Sequence, residues 1–202
     1  MNQTKHQNRD LIHSDRKLFP VTRQVNAREV EFLQPFAIRY RDEVQVLMPL
    51  FRSDGGSVPR FAWWFQSPFT GRGTTGFYGH DGDYHVRRGF KLARDWRMKS
   101  IQKQYGVSFP RRWIMFIILA LFGWFAWWKS PKEDDNVLYF HISQTDEIKL
   151  ALKRGNTIAR LMAEKDRRPA EHTKKFLDNE MQSVKNGDID DLLKKELRSN
   201  GS

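Results

Sequence analysis

The sequence predicts an α+β fold in which a small strand hairpin packs on helices, followed by an apolar helix and an α-helical C-terminal tail. Three observations predict it. Residues 36–40 and 44–48 are rich in the aromatic and β-branched residues that strands favour. Residues 89–105 carry apolar side chains at helical spacing, and residues 113–128 form an uncharged apolar run.

The composition excludes several classes of protein. The chain has 202 residues, of which 39% are hydrophobic and 13% aromatic, so it can bury a core and is not wholly disordered. It has no cysteine, which excludes a disulfide framework, a thiolate zinc site, an iron–sulfur cluster and a cysteine nucleophile.

We expect the chain to divide into four segments. Residues 1–34 are polar and without periodicity, which indicates a flexible arm; an apolar run behind an early positive cluster is missing, so no signal peptide is predicted. Residues 35–110 form a small α+β core, residues 111–128 an apolar helix and candidate membrane segment, and residues 129–202 a charged helical tail.

The predicted core starts with the strand hairpin, whose turn falls at residues 41–43. Turn chemistry follows at residues 53–59, then a short aromatic helix near 61–65 and a loop over 66–76. The next helix runs from Gly89 to about Tyr105 and stops at the following glycine.

The tail has helix signals of its own. Thr145 is a candidate N-cap for a helix to about Lys165, with acidic residues in the first turn, where they complement the helix dipole. Two shorter helices are expected near residues 173–184 and 188–198.

The apolar run at residues 113–128 leaves two interpretations open. As one helix it would rise roughly 24 Å, whereas a bilayer core is roughly 30 Å thick. Its ends, Arg112 with Trp113 and Trp128 with Lys129, resemble the snorkelling cations and aromatic belts of membrane segments. The alternative is a helix buried in a core or docked on a partner protein. If the run spans the inner membrane, the excess of cations before it places the amino-terminal domain in the host cytoplasm.

Residues 87–112 hold most of the excess positive charge. This segment has nine cations and one acid, and the whole chain has a net charge of +11. Such a segment suits the phosphates of nucleic acid or anionic lipid, or it is simply a solvated helix face.

Four polar residues are candidates for a divalent metal site: Asp54, His80, Asp81 and Asp95. Carboxylates with one imidazole suit Mg²⁺, Mn²⁺ or Zn²⁺, which could activate water for hydrolysis. The alternative is a structural network in which Asp54 accepts backbone N–H bonds and His80 bonds Asp95 across the core. Asp83 and His85 are expected to face solvent.

Three short motifs carry a resemblance to a known family. Residues 51–64 read FRSDGGSVPRFAWW, residues 79–81 read GHD and residues 93–95 read ARD. Residues 35–125 thereby resemble the phage and prophage family catalogued as domain of unknown function 1353. Its members carry a T-D-G-A-S-V-P-like turn, an H-D-x-L-Y-like motif and an aspartate on the following helix.

The resemblance implies which positions matter in this chain. The marked polar and turn positions are Asp54, Ser57, Pro59, His80, Asp81, Tyr84 and Asp95, and the structural turn comprises Gly55, Gly56, Ser57 and Pro59. Two positions depart from the family pattern, because Gly56 replaces an alanine and Asp83 replaces a leucine. The family implies a phage origin and brings no established activity.

Three functions follow as expectations. The first is a virion or assembly component, whose arm and tail dock on other phage proteins in the virion. The second is a metal-dependent hydrolase acting on the cell wall or on a phosphate ester through Asp54, His80, Asp81 and Asp95. The third is a membrane-attached accessory protein in lysis or host-envelope takeover.

Overall fold

The computed structural model describes residues 19–55, 67, 69–130, 134–167 and 182. The strands are β1 (Thr22–Asn26), β2 (Glu29–Phe32), β3 (Phe36–Tyr40), β4 (Glu43–Leu47), β5 (Arg52–Ser53) and β6 (Val137–His141). The helices are α1 (Thr74–His85), α2 (Lys91–Gln104), α3 (Phe109–Phe122), α4 (Trp124–Lys129) and α5 (Thr145–Arg167). The strands form two three-stranded antiparallel sheets, and the predicted α+β class is confirmed.

The predicted hairpin is present as β3 and β4. Tyr40 pairs with Glu43, so the turn has two residues, one fewer than expected, and Arg41 takes the left-handed conformation (φ 56°) that such a turn requires. The sequence did not indicate β6, which completes this sheet by pairing with β4.

The other sheet has the order β1-β2-β5 and uses residues that were predicted to be a flexible arm. That prediction is wrong for residues 22–32. Glu31 is 3% exposed, and its neighbours across the sheet, Arg23 and Arg52, bind it at 2.8 and 3.1 Å. The strands look polar because this buried acid is neutralised by partners that only sheet pairing brings near.

Helix α1 is almost wholly buried; its first three residues, 74–76, were predicted to end the loop over residues 66–76, and no helix was predicted over 77–85. Eleven of its residues are buried, so no polar face marks it as a helix. Glycines at 76, 79 and 82 also lower its apparent helix propensity. It packs against α2, β4 and β5.

Helices α2 and α5 confirm their predictions. Gly106 follows α2 with a φ of 77°, which is typical of a helix stop, and α5 begins at Thr145. The expected arm over residues 1–18, the short helix near 61–65 and the two last tail helices lie outside the described residues, Gln182 excepted.

The apolar run forms two helices, α3 and α4, that part at Gly123, so the prediction of one helix over residues 111–128 is wrong. A Cβ at Gly123 would lie 2.7 Å from the Tyr84 hydroxyl and 3.2 Å from Lys91 Cε. The glycine therefore lets the chain pass close over these two side chains. Along the described ranges, the helices all fall short of the length and apolarity that crossing a bilayer requires.

Candidate active site

Helix α1 carries most of the polar side chains of the site. His80, Asp81 and Tyr84 are buried, and His85 at the C-terminal end is partly exposed. Gly82 lets β4 approach this helix closely, because a Cβ there would lie 2.9 Å from Leu47 Cδ2 and closer still to the Gln45 amide.

His80 and Asp95 form the centre of a buried polar cluster. His80 Nε2 lies 2.8 Å from Asp95 Oδ1, and the Tyr84 hydroxyl donates to the same oxygen at 2.9 Å. Lys91 Nζ donates to Asp95 Oδ2 at 2.7 Å and to the Leu119 carbonyl at 2.8 Å. The cluster joins α1, α2 and α3, as the structural alternative predicted for His80 and Asp95.

The charges in this cluster shift the pKa values of its members. Burial would lower the pKa of His80, but the carboxylates of Asp81 and Asp95 outweigh it and raise the pKa to about 9. Burial would raise the pKa of Asp95, but His80 and Lys91 lower it. His80 is therefore a buried imidazolium at neutral pH.

Asp81 points from α1 towards the turn after β5. Its Oδ2 accepts a hydrogen bond from the Ser53 hydroxyl and another from the Gly55 N–H at 3.0 Å. Its Oδ1 lies 4.0 Å from His80 Nδ1, a buried nitrogen that has no hydrogen-bond partner among the described residues. The carboxylate of Asp81 is thus fixed by two donors and faces a cation.

His85 and Asp134 form a second histidine–aspartate pair. His85 Nδ1 lies 2.8 Å from Asp134 Oδ2, and the His85 side chain is 33% exposed. Burial would lower the pKa of His85, but Asp134, Asp81 and Asp54 raise it above its ordinary value. Burial would raise the pKa of Asp134, but His85 and the backbone N–H of Asn136 lower it.

These groups share one cleft of about 280 Å³. The cleft lies between the turn after β5, the C-terminal half of α1 and the end of α4. Its lining includes Ser53, Asp54, Asp81, Tyr84, His85 and Lys129. A buried carboxylate and a partly exposed imidazole therefore line the same cleft. Acid–base chemistry needs such a pair of groups.

Asp83 belongs to a separate structural network. It accepts hydrogen bonds from Arg97 Nη1 at 2.9 Å and from the Tyr139 hydroxyl at 2.7 Å. Gln45 joins them, because its Oε1 accepts from Arg97 at 3.0 Å. Asp83 is fully buried, so the expectation that it faces solvent is wrong, whereas His85 is partly exposed in the cleft.

The four predicted metal ligands are arranged in pairs. His80 bonds Asp95 in the core, while Asp81 and the exposed Asp54 line the cleft. Across the described ranges of the chain, no three histidine, aspartate or glutamate side chains are placed to hold a metal ion.

The predicted turn is described only at its first residues. Gly55 has a φ of 80°, so this position does require a glycine-like conformation. Gly56, Ser57 and Pro59 lie outside the described residues.

The basic segment at residues 87–112 is largely engaged within the protein. Lys91 and Arg97 are buried and paired with Asp95 and Asp83, as above. Arg88 and Arg94 both bind Glu43, at 3.0 and 3.1 Å.

Lys99 in the same segment is enclosed by aromatic rings. Its ammonium lies 3.0 Å from the ring centroid of Trp96 and 3.4 Å from that of Trp113. Burial and the nearby Arg112 lower its pKa. Binding of nucleic acid or lipid through residues 87–112 stays a prediction.

Sequence reasoning missed Ser53, Lys91 and Asp134 as members of these clusters. Lys91 has a usable signal, because a lysine four residues before an aspartate shares a helix face with it. Asp134 has none, because it follows its partner His85 by 49 residues and no local pattern links them.

No family model, curated protein or solved structure matches this chain.

Proposed function

We propose that this protein is a hydrolase whose acid–base groups are Asp81 and His85. The observation that carries the proposal is that the buried Asp81 carboxylate and the partly exposed His85 imidazole line one cleft, with His85 held by Asp134 at 2.8 Å. Burial would lower the pKa of His85, but Asp134, Asp81 and Asp54 raise it above its ordinary value, which suits a proton donor.

The proposal gives each group a role. Asp81 accepts a proton from a water molecule as the water oxygen bonds to the carbonyl carbon or phosphorus of the substrate. His85 donates its proton to the leaving group as the scissile bond breaks. Asp81 then releases its proton to solvent and His85 takes one up from solvent. The net reaction therefore consumes one water.

Three other residues support these two without touching the substrate in this scheme. Asp134 accepts a hydrogen bond from His85 Nδ1, fixes the ring and stabilises its cationic form. His80, held by Asp95, places a positive charge 4.0 Å from Asp81 and balances the charge of its carboxylate.

The proposal is tested with a panel of chromogenic substrates on the purified full chain: p-nitrophenyl acetate, p-nitrophenyl phosphate, bis-p-nitrophenyl phosphate and bacterial cell-wall fragments. We expect turnover on at least one, and we expect Asp81→Asn and His85→Gln each to lower kcat/KM by about a hundredfold or more. The control His141→Gln alters an exposed imidazole outside the cleft and should leave kcat/KM unchanged. Absence of turnover on the whole panel, or equal rates in His85→Gln and the parent, contradicts the proposal.

The same assay distinguishes this acid–base scheme from the metal-dependent hydrolase predicted from the sequence. Rates are measured with a chelator and with added Mg²⁺, Mn²⁺ or Zn²⁺. The acid–base scheme above requires the rate with chelator to equal the untreated rate. A rate that depends on an added ion favours metal-assisted hydrolysis instead, with Asp54 and Asp81 as the predicted ligands that line the cleft.

The virion or assembly role implied by the family resemblance stays a prediction. It is compatible with hydrolysis, since it concerns where the protein acts. Detection of the chain in purified virions by mass spectrometry would support it, and its absence there would contradict it.

A further inference from the structure

Helices α3 and α4 present a row of large apolar side chains to solvent. We call this row the apolar face; its members are Ile114, Ile117, Leu121, Phe122, Trp124, Phe125 and Trp128. Their exposed fractions run from 38% for Ile114 to 68% for Phe125. Single exposed apolar residues are ordinary, whereas a contiguous set of this size marks an interaction surface.

The apolar face is a genuine helix face. Ile114, Ile117 and Leu121 recur at intervals of three and four residues, and Phe125 and Trp128 continue the interval into α4. On the opposite side of α3, Met115 and Leu119 are fully buried against Phe77 and Met98. The core therefore uses one side of the helix and leaves the other uncovered by any described residue.

The chain segment that carries the apolar face is rich in cations. From residue 86 to residue 130 the sequence contains one acidic side chain, Asp95, which is buried and paired with Lys91. Exposed cations lie at both ends of the apolar face, Arg111 before it and Lys129 after it. The two cations favour an occupant that is apolar in the middle and negative where it meets Arg111 and Lys129.

We propose that the apolar face docks this protein on the surface of an anionic lipid bilayer, with α3 and α4 lying in the interface. The apolar side chains enter the region between headgroups and acyl chains, tryptophans sit at the level that indoles favour, and Arg111 and Lys129 meet lipid phosphates. The proposal does not rest on the hydrolase activity, because none of these side chains except Lys129 lines the cleft.

A second copy of the chain is a poorer occupant. If two apolar faces pack on each other in parallel, Arg111 meets Arg111 and Lys129 meets Lys129; if they pack antiparallel, Arg111 meets Lys129. In either arrangement cations oppose cations at both ends of the interface.

Vesicle co-sedimentation of the purified full chain tests the proposal. Vesicles of pure phosphatidylcholine are compared with vesicles that also contain phosphatidylglycerol. We expect binding to the anionic vesicles with a blue shift of tryptophan emission. The variant Leu121→Ser/Phe125→Ser/Trp128→Ser should bind about a hundredfold more weakly, since each exposed apolar side chain contributes to insertion. Arg111→Gln/Lys129→Gln should bind about thirtyfold more weakly, from the contribution of each cation near an anionic surface.

Two control variants remove apolar or cationic side chains from elsewhere on the surface. Val21→Ser/Val25→Ser alters exposed apolar residues on and beside β1, and Arg28→Gln/Arg160→Gln removes two exposed cations outside this region. Both controls should bind vesicles like the parent. The proposal is overturned if the parent binds neither kind of vesicle, or if the triple serine variant binds as tightly as the parent. If the parent forms a dimer without lipid and the triple serine variant is a monomer, the apolar face binds a second copy of the chain instead.

Discussion

His80 and Asp95 are joined at 2.8 Å in a core where neither side chain contacts solvent, although they come from different helices. Lys91 is a third charged group, with its Nζ at 2.7 Å from Oδ2 of the same carboxylate. Buried charges of this kind are tolerated only when each is paired. The stability of the fold is therefore coupled to the charge state of this cluster.

Asp95→Ala should destabilise the protein strongly. It leaves the Lys91 ammonium and the His80 imidazole buried without their carboxylate, and removing one partner of a buried pair costs about 3–5 kcal/mol. The free energy of unfolding from urea titration measures this. Asp135→Ala, at an exposed aspartate, is the control and should change the value by less than about 0.5 kcal/mol. A loss of less than about 1 kcal/mol for Asp95→Ala would contradict the pairing.

The stability should fall as the pH rises from neutral towards 9. The pKa of His80 is raised from 6.5 to about 9 in the folded protein, so its stabilising contribution is complete below pH 6.5 and is lost as the pH passes 9. The contribution is about 3 kcal/mol at about 1.4 kcal/mol per pKa unit. Urea titrations between pH 6 and 10 should show this slope in the parent and a flatter profile in His80→Gln. Parallel profiles for the two proteins would show that His80 does not titrate as stated.

Substitution by arginine should have very different effects on stability at two leucines of α3. Leu119 is fully buried with Phe77 and Met98, so Leu119→Arg places an unpaired charge in the core and should prevent stable folding. Leu121 is 67% exposed, so Leu121→Arg should change the free energy of unfolding by less than about 0.5 kcal/mol. Circular dichroism and urea titration compare them. Equal effects at the two positions would contradict the orientation of α3.

Gly82→Ala should destabilise the contact between α1 and β4. The new methyl group would lie 2.9 Å from Leu47 Cδ2 and would overlap the Gln45 amide, and overpacking of this kind costs about 1–3 kcal/mol. A double-mutant cycle with Gln45→Ala tests the cause, because shortening Gln45 should reduce the cost of the added methyl group. A cost that is unchanged in the Gln45→Ala background would mean that the amide is not the obstacle.

The pH dependence of hydrolysis should depend on Asp134. If His85 is the general acid, kcat falls as the pH rises through its pKa, which Asp134 helps to raise. Asp134→Asn should therefore move the basic limb of the pH–rate profile to lower pH while leaving some activity at acidic pH. A basic limb that stays in place would remove His85 from the role of acid.

Local patterns accounted for the hairpin of β3 and β4, for α2 and for α5. Their signals lie within a few residues: apolar side chains at a fixed interval, the acidic residues Asp146 and Glu147 in the first turn of α5, a glycine stop at Gly106. The pairing of His80 with Asp95 was reached as one of two alternatives, because residue types indicated a polar cluster without fixing its partners.

Other features depended on contacts between distant segments. Helix α1 has no periodic face, since both its sides are covered, and β1 and β2 look polar until Arg23 and Arg52 flank Glu31. The apolar run reads as continuous, and it divides at Gly123, where the chain passes close over Tyr84 and Lys91.

The sequence by itself determined the α+β class, the elements with a strong local period and the polar residues available for chemistry. The tertiary structure decided which of them meet: His80 with Asp95, His85 with Asp134, and Asp81 with the turn after β5. The reason is physical, because periodicity and capping act between residues close in the chain. A cleft depends instead on packing that brings together side chains as far apart in sequence as residues 85 and 134.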